Sequence, residues 1–532
     1  MQKRMVAFFV AIMMGFGALA CRYASLCGGA EQSRYAGAFG SREISVEIQS
    51  ARGSILDRNG EFLCGGEPVL AALVDPLSLS EESADALRRA ALDQSAVEEA
   101  IRAGRPFLAY VSQAVRGEGL WALTAHRRYG SLAQNLIGYV DADGRGVCGL
   151  EAAADSYLYA DGSSYCVSIP VDAARRTLPG FGLTFEGSPL APLYGVQISI
   201  DREIQALCES LEGIERGAVA VMDVQTGELV ALLSRPTYDP SDLAAALQSE
   251  DALLCKPLES YSCGSAFKIV VAAAALEMGL DGADIPPCTG GYAAGNLTIG
   301  CGKSEGHGEQ TMEQAFSHSC NAYFCALGER VGGDALLAMA KKLGFGESLD
   351  LGLGVECRTG ALPSEEDLSA PAALANFSIG QGDLQVTPLQ LLRLSALIAN
   401  GGVDRPMRLW EKAIEKDGSG KSLWTVGEER RLLSEKTAAQ IGAMMRLSTL
   451  EGTGVPAAPI FRDAAVKTSS AETGIVENGA NVLHTWCVGF YPAQKPQFAA
   501  VVLVEGGRSG YYSAAPVFGA LCDALAGAGK IR

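Results

Sequence analysis

Histidine is scarce in this sequence, and its scarcity bears on metal binding. Four histidines occur among the 532 residues, and the fifteen cysteines are scattered without a Cys-x-x-Cys pair. Structural zinc sites usually combine such paired cysteines with histidines at short spacing. We therefore expect no zinc site.

Basic residues are also few for a chain of this length. Lys and Arg number 43 against 61 Asp and Glu, which gives a formal net charge of −18. Nucleic-acid binding needs clustered Lys and Arg to neutralise phosphates, so this balance argues against nucleic acid as a partner. The 48% hydrophobic and 20% charged content is typical of a globular chain, and the length predicts two or three domains.

One apolar run stands at the N-terminus. It follows Lys3 and Arg4, so we predict a cytoplasmic tail over 1–4, a transmembrane anchor over 5–21 and a linker over 22–43. A rival interpretation is cleavage after Ala20 or lipidation of Cys21, because small residues precede that cysteine. All of these alternatives place the bulk of the protein outside the cytoplasm, and the uncleaved anchor holds it at the cell membrane.

The sequence pattern over residues 44–190 predicts a mixed α/β domain of the pedestal or dimerisation-like kind. An alternating stretch over 44–55 predicts a strand, and Asn59-Gly60 predicts the turn of a hairpin. Residues 78–103 are charged and helical in pattern. No grouping of catalytic side chains stands out in this region.

Residues 191–532 predict an α+β domain, an antiparallel sheet flanked by helices. Strands are predicted at both ends of this domain, over 196–201, 217–223, 228–234, 485–491 and 498–505. They enclose a mainly helical middle, and a closing helix is predicted over 514–528. The sheet is therefore expected to be completed by sequence-distant segments.

The stretch Ser265-Ala-Phe-Lys268 precedes an apolar run and carries the first candidate chemistry. A helix beginning near Ser265 places its hydroxyl and the Lys268 amine on one face. The helix N-terminus favours negative charge on Ser265, and apolar surroundings depress the pKa of a lysine. These residues therefore form a candidate nucleophile and base. A capped start of an ordinary core helix is the competing interpretation.

Two further motifs follow in the chain. Ser319-Cys-Asn321 places a hydroxyl and a carboxamide in a loop between helices, where one can relay a proton and the other bind an amide. Lys467-Thr468 ends an apolar lead-in, and strand alternation sends these two side chains to opposite faces. Both reach one cleft only at an exposed sheet edge. A second Lys-Thr pair, Lys436-Thr437, lies in a helical pattern and is discounted.

The three motifs, in this order, resemble the Ser-x-x-Lys, Ser-x-Asn and Lys-Thr-Gly signature of the penicillin-recognising serine transpeptidases. The chain from Arg52 onward is similar to class B penicillin-binding proteins. The stretches that carry this similarity are 52–60, 217–236, 307–308, 380–382, 386–390 and 486–492. No region resembles a glycosyltransferase domain.

The resemblance implies a peptidoglycan D,D-transpeptidase with Ser265, Lys268, Ser319 and Lys467 as catalytic residues. It also implies substrate binding by Asn321, Thr468 and Ser470, with the N–H groups of Ser265 and Ser470 as oxyanion donors. Expected partners are peptidoglycan stem peptides on lipid-linked glycan strands, β-lactams and a polytopic membrane glycosyltransferase. No metal or organic cofactor is implied.

The sequence departs from the family signature at two positions. Ser469 stands where the family has glycine, so we expect a side chain that crowds the approach of substrate and alters β-lactam preference. Cys263 stands where a proline is usual. For an exported domain, Cys288 with Cys301 is the best local candidate for a disulfide.

The sequence leaves two other functions open. One is a β-lactam hydrolase or D,D-carboxypeptidase, although neither needs a membrane segment and a large N-terminal region. The other is a non-catalytic wall or β-lactam sensor, which Ser469 alone favours. Release of D-alanine that is lost in Ser265→Ala distinguishes an enzyme from a sensor, whereas penicillin labelling does not.

Overall fold

The computed structural model describes most of the chain. The described residues are 2–27, 43–49, 52–130, 132–141, 143–159, 164–172, 175, 177–178, 182–187, 194–240, 242–249, 251–423, 427–477 and 479–531. Most of the predicted linker and the predicted domain boundary at 190/191 lie outside the described residues.

A single helix, Gln2–Cys27, forms the N-terminal segment. Residues 22–27, which the sequence predicts as linker, continue this helix. Among the described residues, no helix combines the length and apolar character needed to cross a membrane. The anchor over 5–21 stays a prediction.

The chain forms two compact units. The smaller unit comprises Met1–Ala51, Gly65–Arg128 and Asp161–Ala191, and the larger unit comprises Arg52–Cys64, Tyr129–Ala160 and Pro192–Arg532. The larger unit thus includes two segments that the sequence assigns to the pedestal. They belong to it because the strand Ser54–Leu56 pairs with Gly195–Ile198 and Arg52 forms a buried ion pair with Glu151 at 2.7 Å.

The smaller unit is mixed α/β. Its three-stranded antiparallel sheet consists of Glu43–Gln49, Tyr165–Pro170 and Thr184–Glu186. Two helices, Glu81–Ala90 and Gln94–Ala103, replace the single predicted helical stretch. Each begins at a polar cap, since Ser80 and Asp93 accept hydrogen bonds from backbone N–H groups of the first turn. The unit's other strands are Phe107–Tyr110, most of Leu120–Tyr129, and the part of Phe62–Val74 from Gly65.

The predicted hairpin at Asn59-Gly60 forms. Ser54–Leu56 pairs antiparallel with the beginning of Phe62–Val74, and Gly60 has φ +86. A positive φ at this turn position suits glycine, which lacks a Cβ. The dipeptide thus predicts the turn correctly.

Five antiparallel strands form the central sheet of the larger unit. In chain order they are β1 (Gly217–Asp223), β2 (Leu229–Arg235), β3 (Ala465–Glu477), β4 (Ala480–Tyr491) and β5 (Phe498–Glu505). Their spatial order is β2-β1-β5-β4-β3. Sequence-distant segments therefore complete the sheet, as predicted, and β3 is one of its two edge strands.

Both faces of the sheet are buried, and period-two alternation divides its side chains. In β1, Ala218, Ala220 and Met222 join one hydrophobic cluster, whereas Val219 and Val221 join another. A strand buried on both faces needs apolar residues at every position, and β1 has them up to Met222.

Three helices of the larger unit position the site, namely α1 (Lys268–Glu277), α2 (Met312–Ser317) and α3 (Asn321–Val331). Residues 268–275 of α1 are all buried, so α1 is a central core helix with apolar side chains around it. Other helices of this unit are Gln134–Ile137, Gly149–Ala153, Asp155–Leu158, Arg202–Glu209, Leu243–Gln248, Gly333–Lys342, Pro371–Ser378, Pro388–Ala399, Glu435–Glu451 and Ala515–Gly527. Its shorter strands are Gly195–Ile198, Gly291–Ala294, Leu297–Gly300, Val403–Asp404, Trp410–Ile414, Gly420–Ser422 and Arg430–Arg431.

Candidate active site

Ser265 lies in a tight 3-10 turn, Gly264–Phe267, that leads directly into α1. Gly264 has φ +52, and a Cβ at this position would lie 2.7 Å from the Ser469 hydroxyl. The Gly264 N–H donates to the Gly380 carbonyl at 2.9 Å. The turn thus needs a residue without a side chain immediately before the candidate nucleophile, which is partly exposed.

Ser319 lies in the tight connection between α2 and α3. Its φ is +55, a left-handed conformation that costs a non-glycine residue about 1–3 kcal/mol. The Ser319 N–H donates to the Phe316 carbonyl at 3.1 Å. Cys320 follows as the N-cap of α3, and its sulfur accepts a hydrogen bond from the Tyr323 N–H at 3.5 Å.

Lys467 and Thr468 lie on the edge strand β3. Both side chains can reach one cleft only from an edge strand, and β3 is such a strand. Both residues are buried, with exposed fractions of 0% and 3%. The discounted Lys436-Thr437 pair lies in the helix Glu435–Glu451 and not in a strand.

The three motifs meet around the Ser319 hydroxyl. The Lys268 amine donates to the Ser319 carbonyl at 2.7 Å, to its hydroxyl at 3.3 Å and to the Asn321 side-chain carbonyl at 2.7 Å. The Lys467 amine donates to the same hydroxyl at 2.9 Å and to the Thr468 carbonyl at 2.8 Å. One hydroxyl therefore contacts amines from two motifs that are 199 positions apart in the chain (467 minus 268).

Both lysines are fully buried, and burial governs their protonation. Desolvation lowers the pKa of Lys268 to about 8. Desolvation, together with repulsion from Lys268, lowers the pKa of Lys467 well below its usual value. A lysine whose pKa approaches neutrality has an available neutral amine, which can accept a proton from a serine. The site is therefore electrostatically suited to base catalysis near neutral pH.

The candidate substrate-binding side chains have polar partners of their own. The Asn321 amide donates to the Gly300 carbonyl at 3.0 Å. The Thr468 hydroxyl donates to that of Thr453 at 2.6 Å, and the Ser470 hydroxyl accepts a hydrogen bond from the Gly510 N–H at 2.9 Å.

Three of these partners were missed by sequence reasoning. Gly300, Thr453 and Gly510 belong to none of the predicted motifs, and only the fold brings them to the site. Gly380, by contrast, lies in a stretch that the sequence analysis had connected with the family.

Ser469 packs against the turn that carries Ser265. Its side chain is 3% exposed, and its hydroxyl donates to the Cys263 carbonyl at 2.6 Å. The neighbouring Trp486 indole donates to the Ser262 carbonyl at 3.0 Å. Ser469 thus joins the edge strand to the nucleophile turn, and its hydroxyl is engaged there instead of extending towards substrate.

The comparisons with known proteins bear on this geometry. The family model described as the penicillin binding protein transpeptidase domain matches residues 217–523, more than half of the chain. The chain belongs to the penicillin-binding protein transpeptidase family.

Relatives of this penicillin-binding protein are of the class B type. Penicillin-binding protein PbpB of Mycolicibacterium smegmatis is 31% identical over 73% of this chain and 62% of its own length. Stage V sporulation protein D of Bacillus subtilis is 27% identical over 90% and 78%. The peptidoglycan D,D-transpeptidase PbpA of Mycobacterium tuberculosis is 32% identical over 60% and 69%. The match at residues 217–523 is accordingly a serine-type D,D-transpeptidase domain.

Solved structures share the fold of this penicillin-binding protein. The D,D-transpeptidase domain of a peptidoglycan glycosyltransferase from Eggerthella lenta has a TM-score of 0.65 at 25% identity, over 91% of this chain and all of that one. Penicillin-binding protein 3 from Mycobacterium tuberculosis, in complex with ampicillin, has a TM-score of 0.65 at 23% identity, over 92% of this chain and 97% of that one.

Proposed function

We propose that this chain cross-links peptidoglycan stem peptides through an acyl-enzyme on Ser265. The single observation that supports this most strongly is the pair of buried lysine amines around the Ser319 hydroxyl, one of them from the helix that follows Ser265. Such an arrangement supplies a neutral base, which follows the proposed nucleophile Ser265 by three positions in the chain, and a proton relay.

The first half of the reaction forms the acyl-enzyme. Neutral Lys268 takes the proton of the Ser265 hydroxyl, whose oxygen attacks the carbonyl between the two terminal D-alanines of a stem peptide. The N–H groups of Ser265 and Ser470 stabilise the oxyanion of the tetrahedral intermediate. Ser319 passes a proton to the departing D-alanine amine, and the peptide bond breaks. Lys467 and Thr468 bind the terminal carboxylate of the substrate.

The second half consumes the acyl-enzyme. An amine from a neighbouring stem peptide attacks the Ser265 ester, loses its proton to the site and forms the new cross-link. The Ser265 oxygen regains a proton as it leaves. β-Lactams acylate the same serine because their strained amide has the same position as the scissile bond.

The test is release of D-alanine from a stem-peptide substrate with an acceptor amine present. We expect release and cross-linking by the wild-type chain, and loss of both in Ser265→Ala. Ser210→Ala, an exposed serine remote from the three motifs in sequence, is the matched control. A chain that is acylated by labelled penicillin but releases no D-alanine would instead be a sensor.

We also propose the cellular setting that this activity requires. Peptidoglycan is assembled outside the cytoplasm, and the apolar run after Lys3 and Arg4 supports an N-terminal anchor with the catalytic domain outside. A polytopic membrane glycosyltransferase would supply the glycan strands. Protease added to intact cells should degrade the catalytic domain, and full protection would contradict this placement.

A further inference from the structure

Three cysteines and one histidine form a compact cluster beside the second motif. They are Cys288, Cys301, His307 and Cys320, and their four potential ligand atoms all lie within 4.8 Å of one another. Cys288 and Cys320 are buried, with exposed fractions of 4% and 0%. The mechanism proposed above does not use any of these four side chains.

Three of the six separations within the cluster match those of a tetrahedral zinc site, and all six are within 4.8 Å. With Zn–S bonds of about 2.3 Å and Zn–N bonds of about 2.0–2.1 Å, tetrahedral ligands lie about 3.8 Å apart for two sulfurs and about 3.6 Å apart for sulfur and nitrogen. The Cys301 and Cys320 sulfurs are 3.7 Å apart. The His307 Nδ1 atom lies 3.4 Å from the Cys301 sulfur and 3.7 Å from that of Cys288.

The disulfide that the sequence suggests between Cys288 and Cys301 is not formed in this structure. A disulfide requires sulfurs about 2.05 Å apart, and both Cys288 and Cys301 are free thiols in this structure. The histidine nitrogen lies between their sulfurs as a common neighbour. A set of three sulfurs and one imidazole nitrogen is also a known ligand combination for structural zinc.

Backbone hydrogen bonds bring the ligands together from three segments. Cys288 and Gly308 exchange two backbone hydrogen bonds of 2.9 Å, which places His307 beside Cys288. The Cys301 N–H donates to the Gly290 carbonyl at 2.9 Å, across the base of the hairpin formed by residues 291–300. Cys320 is positioned as the N-cap of α3. Backbone hydrogen bonds therefore hold the segments that carry the four side chains close together.

The orientation of the histidine is also supported. The His307 ring stacks on His318 with centroids 5.5 Å apart and an interplanar angle of 5°. An imidazole whose Nδ1 atom points towards two thiols presents the lone pair that a metal needs when that nitrogen is unprotonated. The stacking keeps the ring in this orientation.

We propose that this cluster binds one structural zinc ion and thereby positions the second catalytic motif. Binding forms three Zn–S bonds and one Zn–N bond and releases the three thiol protons to solvent, so the site with its ion has a net charge of −1. Zinc with four protein ligands and no open position has no hydrolytic role. Its role is to join the hairpin segment to the start of α3.

The link to catalysis follows from the position of Cys320. It lies between Ser319 and Asn321, whose side chains accept hydrogen bonds from Lys268. Asn321 also donates to Gly300, the residue before ligand Cys301. A zinc ion held by Cys301 and Cys320 would therefore fix both sides of the Asn321 contact. The zinc ligands are thus positioning residues for Ser319 and Asn321.

The first experiment measures the metal content of the full chain by mass spectrometry after purification without chelators. We expect about one zinc per chain, and strong loss in Cys301→Ser and in His307→Ala, since removal of a direct ligand costs more than the roughly 10–100-fold effect of losing an outer partner. Cys148→Ser is the matched control, because Cys148 is a free, partly buried cysteine outside the cluster. It should retain wild-type zinc.

Cobalt substitution reports on the ligands directly. A chain reconstituted with Co²⁺ should show a sulfur-to-cobalt charge-transfer band and intense tetrahedral d–d bands, both weakened in Cys301→Ser. A wild-type chain that takes up neither metal would overturn the proposal. So would peptide mapping that finds a disulfide between any two of the three cysteines.

The positioning role is tested separately, by the rate at which labelled penicillin acylates Ser265. Removal of zinc by a chelator should slow acylation of Ser265 by labelled penicillin, and added zinc should restore it. Unchanged acylation by the metal-free chain would contradict the positioning role. Ser265→Ala should bind zinc like the wild type although it is not acylated, so failure of the metal site and failure of the proposed function are distinguishable.

Discussion

At the scale of single residues, the site depends on burying two amines beside one hydroxyl. Lys268 and Lys467 are both fully buried, and each donates to the Ser319 hydroxyl. Two ammonium groups so close in a site of low dielectric constant repel each other, so the neutral form of at least one is favoured. The strained backbone of Ser319 is consistent with a functional constraint at this residue.

The pH dependence of acylation follows from Lys268. Its pKa is lowered to about 8 by desolvation, and only the neutral amine accepts the proton of Ser265. The rate of acylation by labelled penicillin should therefore rise with pH and level off above about pH 8. Lys268→Arg should lose this rise and be slower by about 10²–10⁴-fold, the usual contribution of a general base.

The matched control for this prediction is Lys436→Arg. Lys436 is exposed in the helix Glu435–Glu451, so its replacement should leave both the rate and the pH profile unchanged. A wild-type profile that is flat between pH 6 and roughly 9 would rule out Lys268 as the base in this range.

Ser469 supports a second prediction at this scale. Ser469→Gly removes the hydrogen bond to the Cys263 carbonyl, a loss of about 0.5–1.5 kcal/mol, and adds the entropic cost of a glycine in a strand. We expect a lower melting temperature with acylation within about threefold of the wild-type rate, which corresponds to less than 1 kcal/mol. Much faster acylation by the glycine variant would show that the serine obstructs substrate after all.

At the scale of elements, the nucleophile turn is fixed by close backbone contact. A Cβ on Gly380 would overlap the carbonyl of Gly264, which itself adopts φ +52. The segment 380–382 therefore packs directly beneath the turn that carries Ser265. Such contact leaves no room for a side chain from either segment.

Gly380→Ala tests the importance of this contact. Because the added methyl group meets backbone, the turn must shift, and we expect acylation of Ser265 to fall at least tenfold, equivalent to about 1.4 kcal/mol. Gly279→Ala is a matched control, since Gly279 has the same φ of +76 as Gly380 and no heavy atom within 4 Å of its added Cβ. Equal losses in the two variants would attribute the effect to backbone strain instead of contact.

At the scale of the whole molecule, the larger unit is discontinuous in sequence. It takes 52–64 and 129–160 from the region before residue 192. Within it, Arg52 and Glu151 form an ion pair with exposed side-chain fractions of 3% and 0%. Removing one partner of a buried pair leaves an uncompensated charge, at a cost of about 3–5 kcal/mol.

A fragment that begins at residue 192 should therefore be less stable than the full chain. It lacks the strand Ser54–Leu56, which pairs with Gly195–Ile198, so the backbone groups of Gly195–Ile198 lose these partners. Thermal unfolding followed by circular dichroism should show a clearly lower melting temperature for the fragment. A fragment as stable as the full chain would mean that the earlier segments add little to the larger unit.

The sequence predicted much of the fold because its signals are local. The apolar strand patterns of β1, β2, β4 and β5 and the turn at Asn59-Gly60 depend on neighbouring residues, and the structure contains all of them. The three motifs were visible because each is short and contiguous. The acceptor of the Ser469 hydroxyl could not be predicted from local patterns, since it lies 206 positions earlier in the chain.

The cysteine cluster, too, could not be predicted from local sequence patterns. Its ligands are spaced by 13, 6 and 13 positions (288, 301, 307 and 320), so no compact zinc motif appears in the linear chain. A hairpin and two backbone bridges bring them together.

The sequence by itself determined the candidate nucleophile and the candidate base, because side chains three positions apart on a helix share a face whatever surrounds them. Tertiary structure decided which hydroxyl lies between the two amines, how far their pKa values fall and whether four scattered ligands meet. Those properties depend on burial and on distances across the fold, and neither can be read from the sequence alone.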